Sequence, residues 1–205
     1  MMRLLKLFLI LVICTSCRKT DANRESHQFG DSTISQEVAD SHHPIEDTIT
    51  VLKNIATCDS IISLEKDSNK LFILYQQKIN LLSGIGKIKE AYYEQGIAVS
   101  LLPKDDVRQL EHEAIGAYLQ NDMDRYSQLL YKAIDICKKY PRNAAMTLNM
   151  ATYYILLGDD KSSKIVMKDF LKHENDRAIT EAYNDYSFYK KQILDARSIL
   201  MDALK

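Results

Sequence analysis

The feature that most constrains the fold of this 205-residue chain is a series of amphipathic segments that runs from Pro44 to the C-terminus. Apolar residues recur in these segments every three or four positions, which is the spacing along one face of an α-helix. Polar or Gly-containing breaks separate them, as at Asp67–Asn69, Ser83–Gly86, Asn121–Asp122 and Gly158–Asp160. The last segment, Arg177–Lys205, contains neither Gly nor Pro and is either one long helix or a pair of helices. No segment alternates as a strand would, so the sequence predicts an all-α body.

The amphipathic segments return at a nearly constant interval. Leu82, Tyr118 and Tyr154 stand about 36 residues apart, and Pro103 and Pro141 are separated by about 38 residues. A period between about 20 and 50 residues is typical of arrays in which each small unit buries its apolar face only against its neighbours. We therefore expect consecutive helical hairpins that pack side by side.

This pattern resembles the tetratricopeptide repeat family over residues 47–205. In the first clear unit, Tyr75 stands where the family has Trp, and Ala91 and Pro103 match the small residue of the second helix and the closing proline. The matching residues of the other two units are Tyr118, Ala133 and Pro141, and then Ala151, Tyr154 and Gly158. The resemblance implies a right-handed stack of antiparallel helical hairpins, that is, a tetratricopeptide-like solenoid. A generic array of helical hairpins is the alternative.

The chain also departs from the pattern of that family. Its period exceeds the family's ~34 residues by a few positions. Lys78 and Ile79 stand where the family has Leu and Gly, and Gln95 replaces an aromatic residue. The third unit lacks a closing proline.

In the family, the first helix of each hairpin lines a concave groove. Carried onto this chain, that groove would consist of Gln76, Asn80, His112, Gly116, Gln120, Leu148 and Thr152. One subgroup clamps the terminal carboxylate of a chaperone with Lys, Asn and Arg. At the positions where that subgroup has its Lys and Arg residues, this chain has Gln76, Glu113 and Ala145. Only the Asn residues of the clamp have counterparts here, Asn80 and Asn149. The resemblance therefore implies a neutral, polar groove that suits a protein or peptide segment rather than an anion.

The N-terminus has the pattern of a bacterial lipoprotein leader. A basic start precedes an uncharged apolar run, Leu7–Ile13, and small residues stand directly before Cys17. That run is too short to span a membrane, which takes about 20 residues. The leader resembles the lipobox family, in which residues 1–16 would be removed and Cys17 would carry lipid, although Cys14 stands where the family prefers Leu. An ordinary secretory leader is the alternative, but no Ala-x-Ala-like site is present.

The lipobox resemblance divides the chain into three parts. Residues 1–16 would be the signal peptide, and residues 17–45 would be the lipidated Cys17 and a flexible linker, because the stretch after Cys17 is polar and has no regular period. Residues 46–205 would form the helical-repeat domain. Arg18, rather than an Asp that would resemble an inner-membrane retention signal, follows Cys17. We therefore expect a lipid-anchored protein of the cell envelope, at the outer membrane.

No pattern of catalytic, cofactor-binding or metal-ligating residues stands out. Gly84–Lys87 lacks the first Gly and the Ser or Thr of a phosphate-binding loop. The five histidines have no ligand spacing, and no Gly-x-Ser-x-Gly motif occurs. The formal net charge is −1, and we expect no basic stripe in the body and so no nucleic-acid partner. We therefore expect no enzyme, no cofactor, no metal and no small-molecule substrate.

Two expectations concern packing. Tyrosine supplies most of the aromatic side chains, and we expect residues such as Tyr75, Tyr118 and Tyr154 to pack between helices. Cys58 and Cys137 are expected to be separate buried thiols, with a disulfide between them as the open alternative.

The function that these observations favour is that of a non-catalytic protein–protein interaction module, with a protein or peptide partner bound in the groove. Two alternatives stay open. One is a periplasmic immunity or inhibitor lipoprotein that neutralises a toxin. The other is an accessory component of a nutrient-uptake or envelope-assembly system.

Overall fold

The computed structural model describes residues 44–141, 143–174, 180–181 and 183–205, so the predicted lipidation site at Cys17 lies outside the described residues. Within those ranges the regular elements are α-helices and none is a strand, which confirms the all-α prediction. No helix in the described part of the chain is both long and apolar enough to cross a membrane. The helices are α1 (Pro44–Ile62), α2 (Ser68–Gly84), α3 (Ile88–Ser100), α4 (Val107–Leu119), α5 (Met123–Cys137), α6 (Ala144–Leu156), α7 (Asp160–His173) and α8 (Tyr186–Leu204).

Short polar side chains begin most of these helices, at or near the predicted breaks. Asp67 accepts hydrogen bonds from the backbone N–H groups of Asn69 and Lys70 at the start of α2. Asp106 accepts one from the backbone N–H of Arg108 at the start of α4. A cap of this kind stabilises a helix by about 1 kcal/mol. The corresponding caps of α5 to α8 are Asp122, Asn143, Asp159 and Asp185.

Three pairs of helices, α2–α3, α4–α5 and α6–α7, are joined by the same kind of turn. Each turn contains one residue with positive φ, which is 80° at Gly86, 58° at Asn121 and 78° at Gly158. The N–H of the following residue donates to a carbonyl five positions back, as Lys87 does to Leu82 at 2.9 Å. Gly and Asn adopt this left-handed conformation most easily. The Gly and Asn residues of the predicted breaks therefore close three helical hairpins.

The apolar faces are buried in three clusters, each shared by neighbouring helices. The first cluster joins α1, α2 and α3, the second joins α4, α5 and α6, and the third joins α6, α7 and α8. Tyr75, Tyr118 and Tyr154 pack against these clusters, which confirms the prediction for them. Cys58 and Cys137 are buried free thiols. They are therefore separate, as predicted, and form no disulfide with each other.

The last predicted segment is interrupted. Residues 180, 181 and 183 are helical, the chain bends at Asn184, and Asp185 then caps α8. Helix α8 packs against α6 and also reaches back to α3. Its Arg197 guanidinium lies 5.7 Å from the ring centroid of Tyr118 on α4. The final helix therefore contacts α3 and α4 as well as the hairpin α6–α7 that precedes it.

Candidate functional site

The structure places the predicted groove residues on α2, α4 and α6 or at their ends, but α8 covers part of this set. Thr152 is 4% exposed, and its hydroxyl oxygen lies 2.6 Å from the hydroxyl oxygen of Tyr189 on α8. Tyr189 also donates a hydrogen bond to the carbonyl of Leu148. A partner could contact Thr152 only if α8 moved away from α6.

Two further groove residues, His112 and Gly116, lie against Tyr92 of α3. The rings of Tyr92 and His112 stack with their centroids 4.4 Å apart, and a Cβ at Gly116 would lie 3.7 Å from the Tyr92 hydroxyl oxygen. Burial lowers the pKa of His112, although the charge of Glu113 opposes this. Of the remaining residues, Asn80 and Gln120 are exposed and Gln76 is partly buried. The seven residues therefore do not form one continuous open surface.

An open pocket of about 440 Å³ lies where the start of α4, the end of α5 and the start of α6 meet. Its apolar lining includes Ile136 and Met146. The charged residues that line it are Asp105, Asp106, Arg108, Lys132, Asp135 and Lys139. Because three of these are acidic and three are basic, the pocket favours neither an anion nor a cation by net charge.

Asn149 of α6 lines this pocket and is only 4% exposed. Its side-chain nitrogen, Nδ2, has no hydrogen-bond partner among the described residues. A buried donor left unsatisfied destabilises a fold by about 1–3 kcal/mol. Nδ2 itself is buried, so an oxygen in the pocket could accept a hydrogen bond from it if the amide turned toward the opening.

The charged residues at the start of α4 are held in place. Nε and Nη2 of Arg108 donate to the two carboxylate oxygens of Asp106 at 2.8 and 2.7 Å. The guanidinium carbon of Arg108 also lies 4.7 Å from the ring centroid of Phe72 on α2. Burial alone would raise the pKa of Asp106, but the hydrogen bonds from Arg108 outweigh it and leave that pKa below its ordinary value. This side of the pocket is therefore pre-organised.

One helical turn beyond Arg108 and Asn149, two more polar side chains meet. The Tyr153 hydroxyl of α6 donates a hydrogen bond to the Glu111 carboxylate of α4. Burial raises the pKa of Glu111 to about 7, although this hydrogen bond lowers it in part. Burial also raises the pKa of the Cys137 thiol to about 12. That thiol is therefore protonated at neutral pH and is a poor nucleophile.

The chemistry of the pocket suits the binding of a peptide segment. It combines apolar walls, charges of both signs and an unsatisfied amide donor. In the described part of the chain, no group of three or more His, Cys, Asp or Glu residues is placed to hold a metal ion. No protein-family model, curated protein or solved structure matches this chain.

From the sequence, Glu111 and Glu113, which flank His112, are expected on a solvated face. For Glu111 this expectation is wrong, because its carboxylate accepts a hydrogen bond from Tyr153 of α6. Sequence reasoning gives Asn149 no role beyond a family counterpart. A signal for both was present, because each is a polar residue inside an apolar helical stripe. Glu111 stands between Leu110 and Ala114, and Asn149 stands between Leu148 and Ala151. Such a residue either finds a partner or marks a site, and only the structure shows which of these applies.

The buried carboxyl of Glu111 leads to a prediction about pH dependence. Its pKa of about 7 in the fold lies above the ordinary value of 4.5, so between those pH values the folded state binds more protons than the unfolded state. Stability must therefore fall as the pH rises through that window. Glu111→Gln keeps an acceptor for Tyr153 and removes the titration. We expect the free energy of unfolding of the variant, relative to the parent, to rise by about 1–3 kcal/mol between pH 5 and pH 8.

Urea unfolding at a series of pH values measures this difference directly. The titration of His112 is common to both proteins and cancels in the comparison. The control is Glu90→Gln, which replaces an exposed carboxylate of α3 that pairs with Lys87. Its difference in unfolding free energy from the parent should stay constant across the window. A difference between parent and Glu111→Gln that stays constant from pH 5 to pH 8 would show that Glu111 does not titrate differently in the fold.

Proposed function

We propose that this chain is a non-catalytic protein-binding module of the bacterial cell envelope, held at a membrane by lipid on Cys17. The observation that carries the binding role is the unsatisfied amide of Asn149 in the pocket between α4, α5 and α6. The anchoring role depends on the lipobox-like leader.

The proposed architecture is a tetratricopeptide-like stack of helical hairpins. Its support is the repetition of one turn geometry at Gly86, Asn121 and Gly158, together with the burial of Ala133 and Ala151 at the positions where the resemblance expects small residues. Stacked hairpins leave side chains from several helices at one surface, which is the usual basis for binding an extended segment.

The proposed ligand is a segment of a protein whose backbone enters the pocket. A peptide carbonyl would accept the hydrogen bond that Asn149 leaves unused, and apolar side chains of the segment would pack against Ile136 and Met146. Opposite charges of the partner could pair with Lys132 or Lys139 and with Asp105 or Asp135, which would set its direction. Because the charges of the pocket balance, a peptide fits better than a phosphate or a sulfate.

The proposed location is the outer membrane. A lipidated Cys17 supplies several acyl chains, and each buried CH₂ group contributes about 0.8 kcal/mol of membrane affinity, so the anchor would be effectively permanent. A linker of the predicted length has a typical reach of roughly 30 Å, at ~5–6 Å × √n. The body would then act near the membrane surface.

We expect Asn149→Leu to weaken partner binding without a large change in the stability of the fold. Leu has the branching of Asn and removes the unsatisfied donor, while its bulkier methyl groups cost some packing energy, so the free energy of unfolding should stay within about 1 kcal/mol of the parent value. Binding of the partner should weaken at least about tenfold, because the peptide oxygen loses its donor. Asn69→Leu, an exposed substitution on α2 that lies outside both the pocket and the predicted groove, is the matched control and should change neither quantity.

The partner for this measurement can be found by photo-crosslinking in intact cells. A crosslinking side chain replaces Tyr140, which lines the pocket and is 53% exposed, and in a second protein it replaces Tyr131, which is 52% exposed outside the pocket. We expect a specific adduct from position 140 and none from position 131. Equal affinity of the Asn149→Leu protein for the captured partner would show that the pocket is not the binding site.

The anchoring proposal predicts the behaviour of Cys17→Ser. Without the acyl chains the protein should leave the membrane fraction when membranes are washed with high salt, which removes electrostatic attachment. The parent protein and the Cys14→Ser control should stay in the membrane fraction under the same wash. Retention of a Cys17→Ser protein from which residues 1–16 have been removed would contradict lipidation at this residue.

A further inference from the structure

The exposed side of α7 carries a row of lysines, which we name the basic face: Lys161, Lys164, Lys168 and Lys172. All four side chains are exposed. Their spacing of three or four residues puts them within about 80° of arc, at about 100° per residue. The expectation that the body has no basic stripe is therefore wrong. Acidic and apolar residues separate these lysines along the sequence, and only the helix brings them together.

The orientation of the basic face is fixed by what lies behind it. Ser163, Met167 and Phe170 are buried on the opposite side of α7, where Met167 and Phe170 belong to the cluster that α7 shares with α6 and α8. None of the four lysines forms an ion pair with another residue in the described part of the chain. The Lys164 ammonium lies 5.2 Å from the ring centroid of Tyr186. The basic face therefore points outward with its charge available.

Neighbouring charged residues leave the positive charge of the basic face in place. Lys190 and Lys191, at the start of α8, line the same shallow depression as Lys164. Lys190 forms an ion pair with Asp160, so these two charges offset each other. Lys191 and Asp195, which line the same depression, add one charge of each sign, so the positive charge of the region comes from the four lysines of α7. The Asp169 carboxylate lies 3.6 Å from the His173 ring nitrogen, at the edge of the row. A protein with a formal net charge of −1 thus concentrates positive charge at one surface.

An apolar side chain lies in the middle of these charges. Ile165 is 61% exposed, and it is four residues after Lys161 and three before Lys168. An apolar residue flanked by lysines is typical of helices that lie in a membrane interface, where the apolar group enters the acyl boundary. The long lysine stems follow it and keep their ammonium groups at the level of the lipid headgroups.

From this arrangement we infer that the basic face of α7 binds anionic phospholipid headgroups and so orients the body on the membrane. The basic face lies on the exposed side of one helix, and its four charged residues are all lysines. Such a surface suits a flat anionic membrane better than a folded protein partner. The inference rests on the proposed function in one respect. A lipid on Cys17 would keep the body within reach of the surface, where weak binding becomes effective.

The test uses the mature chain, residues 17–205 with Cys17→Ser, so that neither the apolar leader nor an acyl chain contributes. Sedimentation with vesicles of phosphatidylcholine containing about 30 mol% phosphatidylglycerol measures the partition coefficient at about 0.1 M salt. We expect binding to these vesicles, none to pure phosphatidylcholine, and loss of binding when the salt is raised several-fold. Ile165→Ser should weaken binding about threefold or more, because it removes the apolar contact.

Changing the four lysines of the basic face to Gln together should lower the partition coefficient at least about tenfold, since each lysine near an anionic surface contributes about fivefold. The matched control changes Lys53, Lys66, Lys89 and Lys104, all exposed elsewhere, to Gln and alters the net charge equally. Its partition coefficient should fall less than about twofold. Changing the same four lysines to Arg should preserve binding, because Arg keeps the positive charge. This variant separates an effect of lost charge from an effect of misfolding.

Two results would overturn the inference. One is the absence of binding to the anionic vesicles, including the case in which the protein binds a soluble acidic polypeptide such as polyglutamate instead. The other is equal loss of binding in the two sets of Gln variants, which would show that overall charge, rather than the face of α7, attracts the protein. Neither result bears on lipid attachment at Cys17 or on the pocket at Asn149, because the experiment involves no acyl chain and no protein partner.

Discussion

The packing of α8 on α6 is the contact on which the rest of this structure depends. Helix α6 is buried on several sides, since Ala151, Tyr153 and Ile155 are each almost fully covered. A helix that is apolar around most of its circumference needs neighbours on every side, and here α5, α7 and α8 supply them. The two hydroxyls of Thr152 and Tyr189 join α6 to α8, and both also lie within hydrogen-bond distance of the Leu148 carbonyl.

The packing of α8 on α6 determines where the body can bind another molecule. Because α8 lies over Thr152 and Tyr92 lies over His112, part of the surface implied by the family resemblance is used for internal packing. The pocket between α4, α5 and α6 stays open, and Asn149, whose amide nitrogen has no hydrogen-bond partner among the described residues, lines it. The outer side of α7 stays open as well, with its row of lysines. The proposed partner and the proposed membrane contact therefore use separate surfaces.

Features that depend on neighbours in the sequence were predictable, and features that depend on distant residues were not. The helical periodicity, the breaks near Gly86, Asn121 and Gly158, and the packing of Tyr118 follow from local chemistry. The interruption at Asn184 was left open, because no Gly or Pro marks it. The return of α8 to α3 and the meeting of Glu111 with Tyr153 depend on tertiary packing, which no local pattern encodes. The basic face was missed because its lysines are adjacent only on the helix.

The central claim is that α8 packs on α6 through Thr152 and Tyr189, and a double-mutant cycle measures it most directly. Thr152→Val, Tyr189→Phe and the double variant are compared with the parent by urea unfolding. Contact between the two hydroxyls predicts a coupling energy of at least about 0.5 kcal/mol, the lower end for residues that touch. Additive effects of the two substitutions, with a coupling energy near zero, would contradict the placement of α8 and with it the account of which surfaces remain open.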